Sequence, residues 1–429
     1  MNSEIASVTA RRVWDSRGRP TVETEVVLAD GTTGRAIAPA GASTGSAEAV
    51  DRRDGGDTFG GLDVMQAVAS VNGELADLLR GRNAADQADV DQAMIDLDGT
   101  ANKSRIGGNA IIATSMAVAH AAAAGCRLPL WRYLGGGNTD YKLPLPEVQI
   151  FGGGAHAGRR VDVQDFMVMA SGADGYEQAL EWTAEVYAAA GRILDDAGLL
   201  QGVADEGGYW PAFRSNEEGL DYLLRAIEAA GLIPGDHMAI SLDIAASDFG
   251  RDGRYVLAKD DLEVDSAGLA EILLGWLERY PIFAIEDPLG EDDHDAMAEF
   301  TRAAGNHVEV VADDFICTNT AMIEDAAMRG ACNTALIKPN QAGTLTEAHQ
   351  ALQAANSANW HSIVSARSGE SEDVTVIHLA VGWGVKQLKV GSFSRSERMA
   401  KWNEGLRIAD NLGQVSANLF PRALFPWGG

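Results

Sequence analysis

Five charged residues in the second half of this chain each follow a short apolar segment: Asp243, Glu286, Asp313, Lys338 and Lys389. From Glu286 to Lys389 the segments end at intervals of 27, 25, 28 and 23 residues, with Ala366 as the fourth position of this series. A short apolar run before a turn predicts a buried strand, and each interval can hold one strand, one helix and two loops. The series therefore predicts successive strands of a parallel sheet, each with a chosen residue at its carboxyl end.

The three acidic members of the series would meet if the strands close into a barrel, because the carboxyl ends of barrel strands face one mouth. As neighbouring carboxylates, Asp243, Glu286 and Asp313 repel one another, so they must be protonated, paired with cations or bound to a shared metal ion. Oxygen ligands without a nearby histidine or cysteine favour Mg²⁺, with Mn²⁺ as a substitute. The alternative is that they are strand-end residues that form salt bridges with neighbours and bind no metal.

The two lysines of the series could supply a base or a positive charge. Lys338 or Lys389 acts as a general base when its amine is neutral and holds an anion when it is charged. Candidate acids come from earlier segments: His156, Asp165 and the Asp205–Glu206 pair, which precedes two glycines in a predicted tight turn. A divalent cation, a lysine base and a carboxylic acid opposite it suit removal of a proton α to a carboxylate, followed by elimination.

The elements that would position these residues alternate between strand and helix from Leu143 onward. Helices are predicted near 173–197 and 214–230, and the alternation continues over about 290 residues. This length fits a closed (β/α) barrel better than an open sheet. No Gly-x-Gly-x-x-Gly or phosphate-loop motif follows an early strand, so a nucleotide cofactor is not indicated. We therefore predict an α/β fold built on a (β/α)8 barrel.

The N-terminal part has a different pattern. The first 40 residues alternate apolar and polar side chains between turn residues, which predicts a meander of three antiparallel strands. Helical periodicity follows in 62–80, 86–97 and 109–124, so we expect an α+β domain. The small residues of Pro39–Gly45 form either a plain loop or a lid that closes over a ligand. Glycines at 135–137 predict a boundary between domains at 1–137 and 138–429.

Charge and composition limit the partners of this chain. It has 34 basic and 62 acidic residues and a formal net charge of −28, which argues against binding to nucleic acid or an anionic membrane. An anionic substrate must therefore be held by local cations. No segment resembles a signal peptide or a membrane span, so we expect a cytoplasmic protein. The three cysteines are scattered and are expected to be reduced thiols.

Distinctive motifs occur along almost the whole chain: Asp15–Val22, Gly41–Gly45, Leu97–Ser104, Asp205–Gly208, Ile285–Pro288, Ala312–Asp314, Leu336–Gln341, Arg367–Glu370 and Gly391–Ser396. In residue type and spacing they resemble the motifs of the enolase family. The resemblance implies a small N-terminal α+β domain, a modified (β/α)8 TIM barrel and, usually, a homodimer.

The resemblance also implies two Mg²⁺ ions in each active site. Asp243, Glu286 and Asp313 would bind the first ion, which grips the substrate carboxylate. Ser43, in the segment that resembles the family's mobile lid, would help to hold the second ion together with the phosphoryl group of the substrate.

Further roles follow from the same motifs. Lys338 would take the α proton, Lys389 would stabilise the aci-carboxylate that results, and Glu206 would assist departure of the β-hydroxyl. The implied substrate contacts are Gln164, Arg367 and Ser368. An α proton beside an ionised carboxylate is so weakly acidic that neutralising the second developing charge must supply most of the rate.

Several positions depart from the enolase pattern, and they gather around the end of the site that binds the phosphoryl group. Ala366 stands where enolases have a histidine that contacts this group, and Asp165 replaces a longer glutamate. The loop around His156 carries two added positive charges, Arg159 and Arg160. Smaller departures are Ala40, Phe151 and Ala155. The change from histidine to alanine removes a hydrogen-bond donor and opens space.

These departures indicate a paralogue whose substrate is bulkier at phosphorus, similar to the enolase relatives of phosphonate and phosphinate natural-product pathways. Such a relative dehydrates a phosphonoformyl ester of glycerate, a small anionic substrate with an extra carboxylate on phosphorus. Ala366 would leave room for that group, and Arg159 or Arg160 would supply charge, unless these arginines only lie in a solvated loop. The alternatives are an ordinary enolase that acts on 2-phosphoglycerate and a non-catalytic homologue, although the retained metal ligands and lysines argue against loss of catalysis.

Overall fold

The computed structural model describes residues 3–42, 44–305, 307–413 and 419–428. Ser43, which the resemblance assigns to a second Mg²⁺, lies outside the described residues. Within the described ranges, none of the helices is both long enough and apolar enough to cross a membrane.

The N-terminal part contains the predicted three-stranded antiparallel sheet, covered by helices. Strands β1 (Ile5–Trp14), β2 (Pro20–Leu28) and β3 (Thr33–Ile37) pair in chain order. The helices are α1 (Met65–Ser70), α2 (Ala76–Leu79), α3 (Gln87–Asp98), α4 (Gly108–Gly125) and α5 (Leu130–Leu134), with a π-helical turn, Val71–Leu75, between α1 and α2. Helix α4 packs so closely on the sheet that a Cβ on Gly34 would lie 2.1 Å from Ala121 N. The alanine-rich sequence of α4 permits this approach.

Eight strands close the predicted barrel. In chain order the remaining strands are β4 (Leu145–Gly152), β5 (Asp165–Met169), β6 (Ala239–Asp243), β7 (Gly250–Arg251), β8 (Arg254–Leu257), β9 (Leu262–Asp265), β10 (Ile282–Glu286), β11 (Glu309–Ala312), β12 (Thr334–Ile337), β13 (His361–Ser365) and β14 (Gln387–Ser392). Strands β7, β8 and β9 form a separate small sheet. Around the barrel the order is β4, β5, β6, β10, β11, β12, β13 and β14, which pairs again with β4.

One barrel strand runs against its neighbours. Strand β5 pairs antiparallel with both β4 and β6, whereas the other neighbouring pairs are parallel. The prediction that every strand presents its carboxyl end at one mouth is therefore wrong for β5. Its amino end carries Asp165, which pairs with Asp243 at the carboxyl end of β6. The reversed strand thus brings an acid to the mouth from its first residue.

Barrel strands β4 and β5 come before two helices, and each later barrel strand is followed by its own helix or helices. The helices are α6 (Tyr176–Asp196), α7 (Asn216–Ala229), α8 (Ser266–Arg279), α9 (His294–Ala304), α10 (Thr320–Arg329), α11 (Pro339–Ala342), α12 (Leu345–Ser357), α13 (Thr375–Trp383) and α14 (Ser396–Leu412). Two strands, two helices and six β/α units therefore form the barrel. The helices predicted near 173–197 and 214–230 are confirmed as α6 and α7.

Hydrophobic side chains form separate clusters in the two parts of the chain. One unites the barrel strands with their helices, and another unites the N-terminal sheet with α1 to α4 and includes Leu345 and Leu379 of the barrel. A third lies inside the barrel at the end away from the mouth, where Phe425 and Trp427 of the C-terminal segment cover it. We call this third cluster the barrel floor. The predicted domain boundary at 137/138 stays a prediction.

Candidate active site

Lys389 binds two carboxylates at the barrel mouth. Its Nζ lies 2.8 Å from Asp243 Oδ2, 2.7 Å from Glu286 Oε2 and 3.7 Å from Asp165 Oδ2. The strand register explains this cluster, because Asp165 and Glu286 each pair directly with Asp243 across β5, β6 and β10. Burial lowers the pKa of Lys389, but Asp243 and Glu286 outweigh it and raise that pKa well above its usual value. The ammonium group therefore stays charged among the carboxylates.

Lys338 and Asp313 form a second buried pair. Lys338 directly follows β12 and donates a hydrogen bond from Nζ to Asp313, which directly follows β11. The backbone N–H of Lys338 donates to Thr318 Oγ1 at 2.9 Å, and Gln341 Nε2 donates to Asp313 Oδ1 at 2.9 Å. Burial lowers the pKa of Lys338, but Asp313 outweighs it and raises that pKa. With this raised pKa, the amine of Lys338 is expected to be protonated at neutral pH, and a second cation that shared the charge of Asp313 would lower that pKa.

The buried carboxylates at the mouth suit a hard metal ion. Glu286 Oε1 is buried and has no hydrogen-bond partner in the described part of the chain. Burial and the nearby Asp243 raise the pKa of Glu286 well above its usual value, so a further cation would favour the ionised form. Oxygen donors of this type prefer Mg²⁺ or a similar ion. In this arrangement, ammonium groups lie beside all three predicted ligands, Asp243, Glu286 and Asp313.

Two sets of side chains could hold a metal ion as they stand. Ligand atoms lie within 4.8 Å of one another in the set Asp287, Asp313 and Asp314 and in the set His156, Asp165 and Glu206. The predicted set of Asp243, Glu286 and Asp313 is not this compact in the described residues, because Lys389 Nζ lies between two of its members. Asp287 and Asp314 were not singled out from the sequence, although both flank predicted ligands.

The other side of the mouth contains His156, Asp165 and Glu206. His156 Nδ1 lies 3.6 Å from Asp165 Oδ1 and 3.8 Å from Glu206 Oε1, which is too long for hydrogen bonds. Burial lowers the pKa of His156, but Glu206 and Asp165 outweigh it and raise that pKa to about 8. Burial also opposes ionisation of Asp165, yet His156 lowers the pKa of Asp165 to about 2. An imidazolium beside a carboxylate is therefore expected here at neutral pH.

One pocket at the mouth brings most of the predicted site residues together. It is lined by Gly41, Ala42, His156, Gln164, Asp165, Glu206, Asp243, Lys338, Ser365, Ala366, Arg367, Ser368 and Lys389. Gln164 Nε2 donates to Asp243 Oδ2 at 2.9 Å, so this side chain is tied to a predicted metal ligand. Ala366 contributes only a methyl group to the wall. Glu286 and Asp313 reach the pocket through their contacts with Lys389 and Lys338.

The structure does not bring Arg159 and Arg160 to this pocket. Arg159 NH1 donates to the carbonyl of Asp248 at 3.0 Å. Arg160 donates to Gln201, and its guanidinium carbon lies 4.7 Å from the ring centroid of Trp210. Neither arginine lines the pocket in the described residues. These contacts match the alternative that the two arginines only lie in a solvated loop. The structure gives no support to their predicted role at the substrate.

Glu48 belongs to the site although sequence reasoning missed it. Its carboxylate accepts hydrogen bonds from Arg367 at 2.9 and 3.1 Å, from Gly45 N at 3.0 Å and from Gln341 Nε2 at 3.3 Å. Gln341 also donates to Asp313. Glu48 therefore connects the small-residue segment to the arginine of the pocket and to a predicted metal ligand. Its partner Arg367 lies 319 residues away, and no local pattern signals such a pair.

Family comparisons cover nearly the whole chain. Residues 5–134 match the family model described as "Enolase, N-terminal domain". Residues 140–419 match the one described as "Enolase, C-terminal TIM barrel domain". The matched ranges contain the three-stranded sheet with its helices and the closed eight-stranded barrel, respectively.

Proposed function

Because the chain belongs to the enolase family, we propose that it is a Mg²⁺-dependent lyase that removes an α proton and eliminates a β-hydroxyl as water, leaving an enolpyruvate. The main support is the position of the candidate base and acid. Lys338 follows β12, which lies four strands from β5 in either direction around the barrel. Asp165, His156 and Glu206 cluster beside β5. A base and an acid on opposite walls suit elimination from neighbouring carbons.

Asp243, Glu286 and Asp313 would hold the first Mg²⁺, with Mn²⁺ as a substitute. Their oxygen donors fit a hard cation, and Glu286 Oε1 has no hydrogen-bond partner among the described residues that would compete with it. When bound, Mg²⁺ would supply positive charge to the substrate carboxylate and make the neighbouring C–H bond more acidic. Ser43 would assist with a second ion at the phosphoryl group.

Lys338 would accept the α proton in its neutral form. The hydrogen bond from its backbone N–H to Thr318 and its place at the start of α11 fix its backbone, and its Nζ is held by Asp313. Lys389, which keeps its charge, would face the second negative charge that develops on the substrate carboxylate. Preorganised charges of this type, held in a buried site, contribute strongly to catalysis.

Glu206 would donate a proton to the departing hydroxyl. It lines the pocket, and His156 lies beside it with a buried Nδ1 that has no hydrogen-bond partner in the described part of the chain. Once the proton has left, the Glu206 carboxylate would lie about where its Oε1 now lies, 3.8 Å from His156 Nδ1. His156 and Asp165 would therefore support the acid rather than replace it.

For the substrate, we propose a phosphonoformyl ester of glycerate, as in carboxyphosphonoenolpyruvate synthase. Ala366 lines the pocket next to Arg367 and Ser368, which are predicted substrate contacts, and it stands where enolases have the histidine that contacts the phosphoryl group. A methyl group at this position leaves room for a substituent on phosphorus. The same arginine and serine would also bind 2-phosphoglycerate, which makes the ordinary enolase reaction the second candidate.

Turnover of both substrates with Mg²⁺, followed by the ultraviolet absorbance of the enolpyruvate, tests this proposal. We expect a higher kcat/KM for the glycerate ester than for 2-phosphoglycerate. The reverse preference would contradict the proposed substrate, and no turnover of either would contradict the proposed reaction. In Ala366→His, kcat/KM for the bulky ester should fall about tenfold more than for 2-phosphoglycerate, because the imidazole fills the space next to phosphorus. An equal effect on both substrates would count against the steric argument.

A further inference from the structure

A second cavity adjoins the catalytic pocket at the end where Arg367 lines both. The two share Gly41, Ala42 and Arg367, which therefore form their common wall. The other arginines that line the second cavity are Arg17, Arg19 and Arg53. We call this cavity the arginine chamber. Such a concentration of arginine is notable in a chain with a net charge of −28.

Two of these arginines are already paired and build the wall of the chamber. Arg17 NH2 lies 2.9 Å from Asp15 Oδ2 and donates to the carbonyl of Ala40 at 2.9 Å. Arg53 NH2 donates to Asp51 Oδ2 at 2.7 Å, and its NH1 donates to two backbone carbonyls. Most of their N–H donors are therefore occupied by the protein itself.

Arg19 differs from them because the protein holds only its backbone and not its guanidinium, within the described residues. Its N–H donates to Asp15 Oδ1 at 2.9 Å, and its carbonyl accepts from Asp15 N at 2.8 Å. Arg19 is exposed, and its guanidinium has no ion-pair or hydrogen-bond partner among the described residues. A guanidinium fork of this kind matches the two oxygens of a carboxylate.

The acidic residues that line the chamber do not neutralise the positive charge of Arg19. Glu48 lines the chamber but is bound to Arg367, and Asp51 is bound to Arg53. Each acid thus has an arginine of its own. Arg19 is left as the positive group available to a ligand that reaches past the common wall.

We propose that the arginine chamber is the subsite for the carboxylate that the substrate carries on phosphorus, and that Arg19 binds this carboxylate. The inference rests on the proposed function for the identity of the substrate. It assigns to Arg19 the role that the sequence suggested for Arg159 or Arg160. The phosphorus atom would lie near Arg367 and Ser368, and its substituent would extend between Gly41 and Ala366 into the chamber.

Two small phosphonates test the subsite. Phosphonoformate carries a carboxylate on phosphorus, and methylphosphonate carries a methyl group. Each is titrated by calorimetry into the full chain with saturating Mg²⁺. We expect the wild type to prefer phosphonoformate, and Arg19→Ala to weaken its binding about tenfold while methylphosphonate binding changes less than about twofold. The matched control Arg160→Ala, which removes an arginine outside both cavities, should change neither.

The outcomes separate the subsite from the proposed reaction. A wild type that binds both phosphonates equally, or an Arg19→Ala variant that weakens both to the same extent or neither, would overturn the subsite. If Arg19→Ala does not fold, Arg19→Gln gives the same comparison, and circular dichroism confirms the fold. Failure to turn over the glycerate ester would contradict the proposed function instead. It would not alter the measured preference for phosphonoformate or the dependence of that preference on Arg19.

Discussion

The two ends of the barrel both bury carboxylic acids, but they stabilise them in different ways. At the mouth, Lys389 contacts two carboxylates directly. At the barrel floor, Glu309 accepts hydrogen bonds from Gln387 Nε2 at 2.9 Å and Trp427 Nε1 at 3.1 Å. Burial raises the pKa of Glu309 to about 8, so this acid is neutral at pH 7. Of the two ends, the mouth therefore keeps buried charge, whereas the floor keeps a protonated acid.

The largest difference between the mouth and the floor is expected when one lysine is removed at each end and turnover and the free energy of unfolding are compared. Lys389→Met leaves buried carboxylates without their ammonium partner, so we expect turnover to fall at least about 10³-fold. The free energy of unfolding, measured in urea without added metal, should fall by about 3–5 kcal/mol. Lys386, just before β14, donates to the carbonyl of Leu424 at 3.1 Å and is half-buried. Lys386→Met should cost less than about 1 kcal/mol and leave turnover unchanged. Similar losses in the two variants would remove the contrast between mouth and floor.

The protonated acid of the floor predicts a pH dependence of stability. The folded state keeps the Glu309 proton up to a pKa of about 8, whereas the ordinary pKa is 4.5. The free energy of unfolding should therefore fall as pH rises between these values, by at most about 1.4 kcal/mol per pH unit, and level off above them. Urea denaturation from pH 5 to pH 9 should show a smaller slope in Glu309→Gln, with turnover retained. An identical slope in the variant would mean that Glu309 is already ionised.

A smaller effect is expected from the ion pair between Glu48 and Arg367. Glu48→Gln removes the charge that holds Arg367, so we expect KM to rise about tenfold with a smaller change in kcat. Glu347 provides the matched control, because its Oε1 binds Lys103 Nζ at 2.8 Å outside the pocket. Glu347→Gln should leave both constants within about twofold. If the two variants behaved alike, Glu48 would have only a structural role.

The smallest effect is expected at the C-terminal cover of the floor. Trp427→Phe keeps the aromatic packing against Phe283 and Phe425 but removes the hydrogen bond to Glu309. We expect a loss of about 1–2 kcal/mol in the free energy of unfolding and no change in turnover. A clear loss of activity would show that the floor influences the mouth.

Many residues of the mouth could be predicted from sequence, because parallel barrel strands place the residues at their carboxyl ends together. Asp243 and Glu286 are the last residues of their strands, and Asp313 and Lys338 follow theirs directly. An apolar run followed by a turn is enough to locate such residues. Lys389 fits less well, because β14 continues for three residues beyond it.

The rest depended on contacts that no local pattern reveals. The reversal of β5 is invisible in the apolar pattern of its sequence, so the geometry of Asp165 became clear only from its pairing with β4 and β6. Arg159 and Arg160 are close in sequence to His156, but Arg159 donates to the carbonyl of Asp248 and Arg160 donates to Gln201. Proximity along the chain was a poor guide there.

Proton exchange at Lys338 tests the central claim most directly. In D₂O with Mg²⁺, the wild type should exchange the α proton of its substrate for deuterium, as followed by NMR of the remaining substrate. Glu206→Gln should retain exchange while elimination fails, because it removes only the proposed acid. Lys338→Ala should reduce exchange at least about 10³-fold. Exchange at the wild-type rate in Lys338→Ala would contradict the account, since the base would then lie elsewhere.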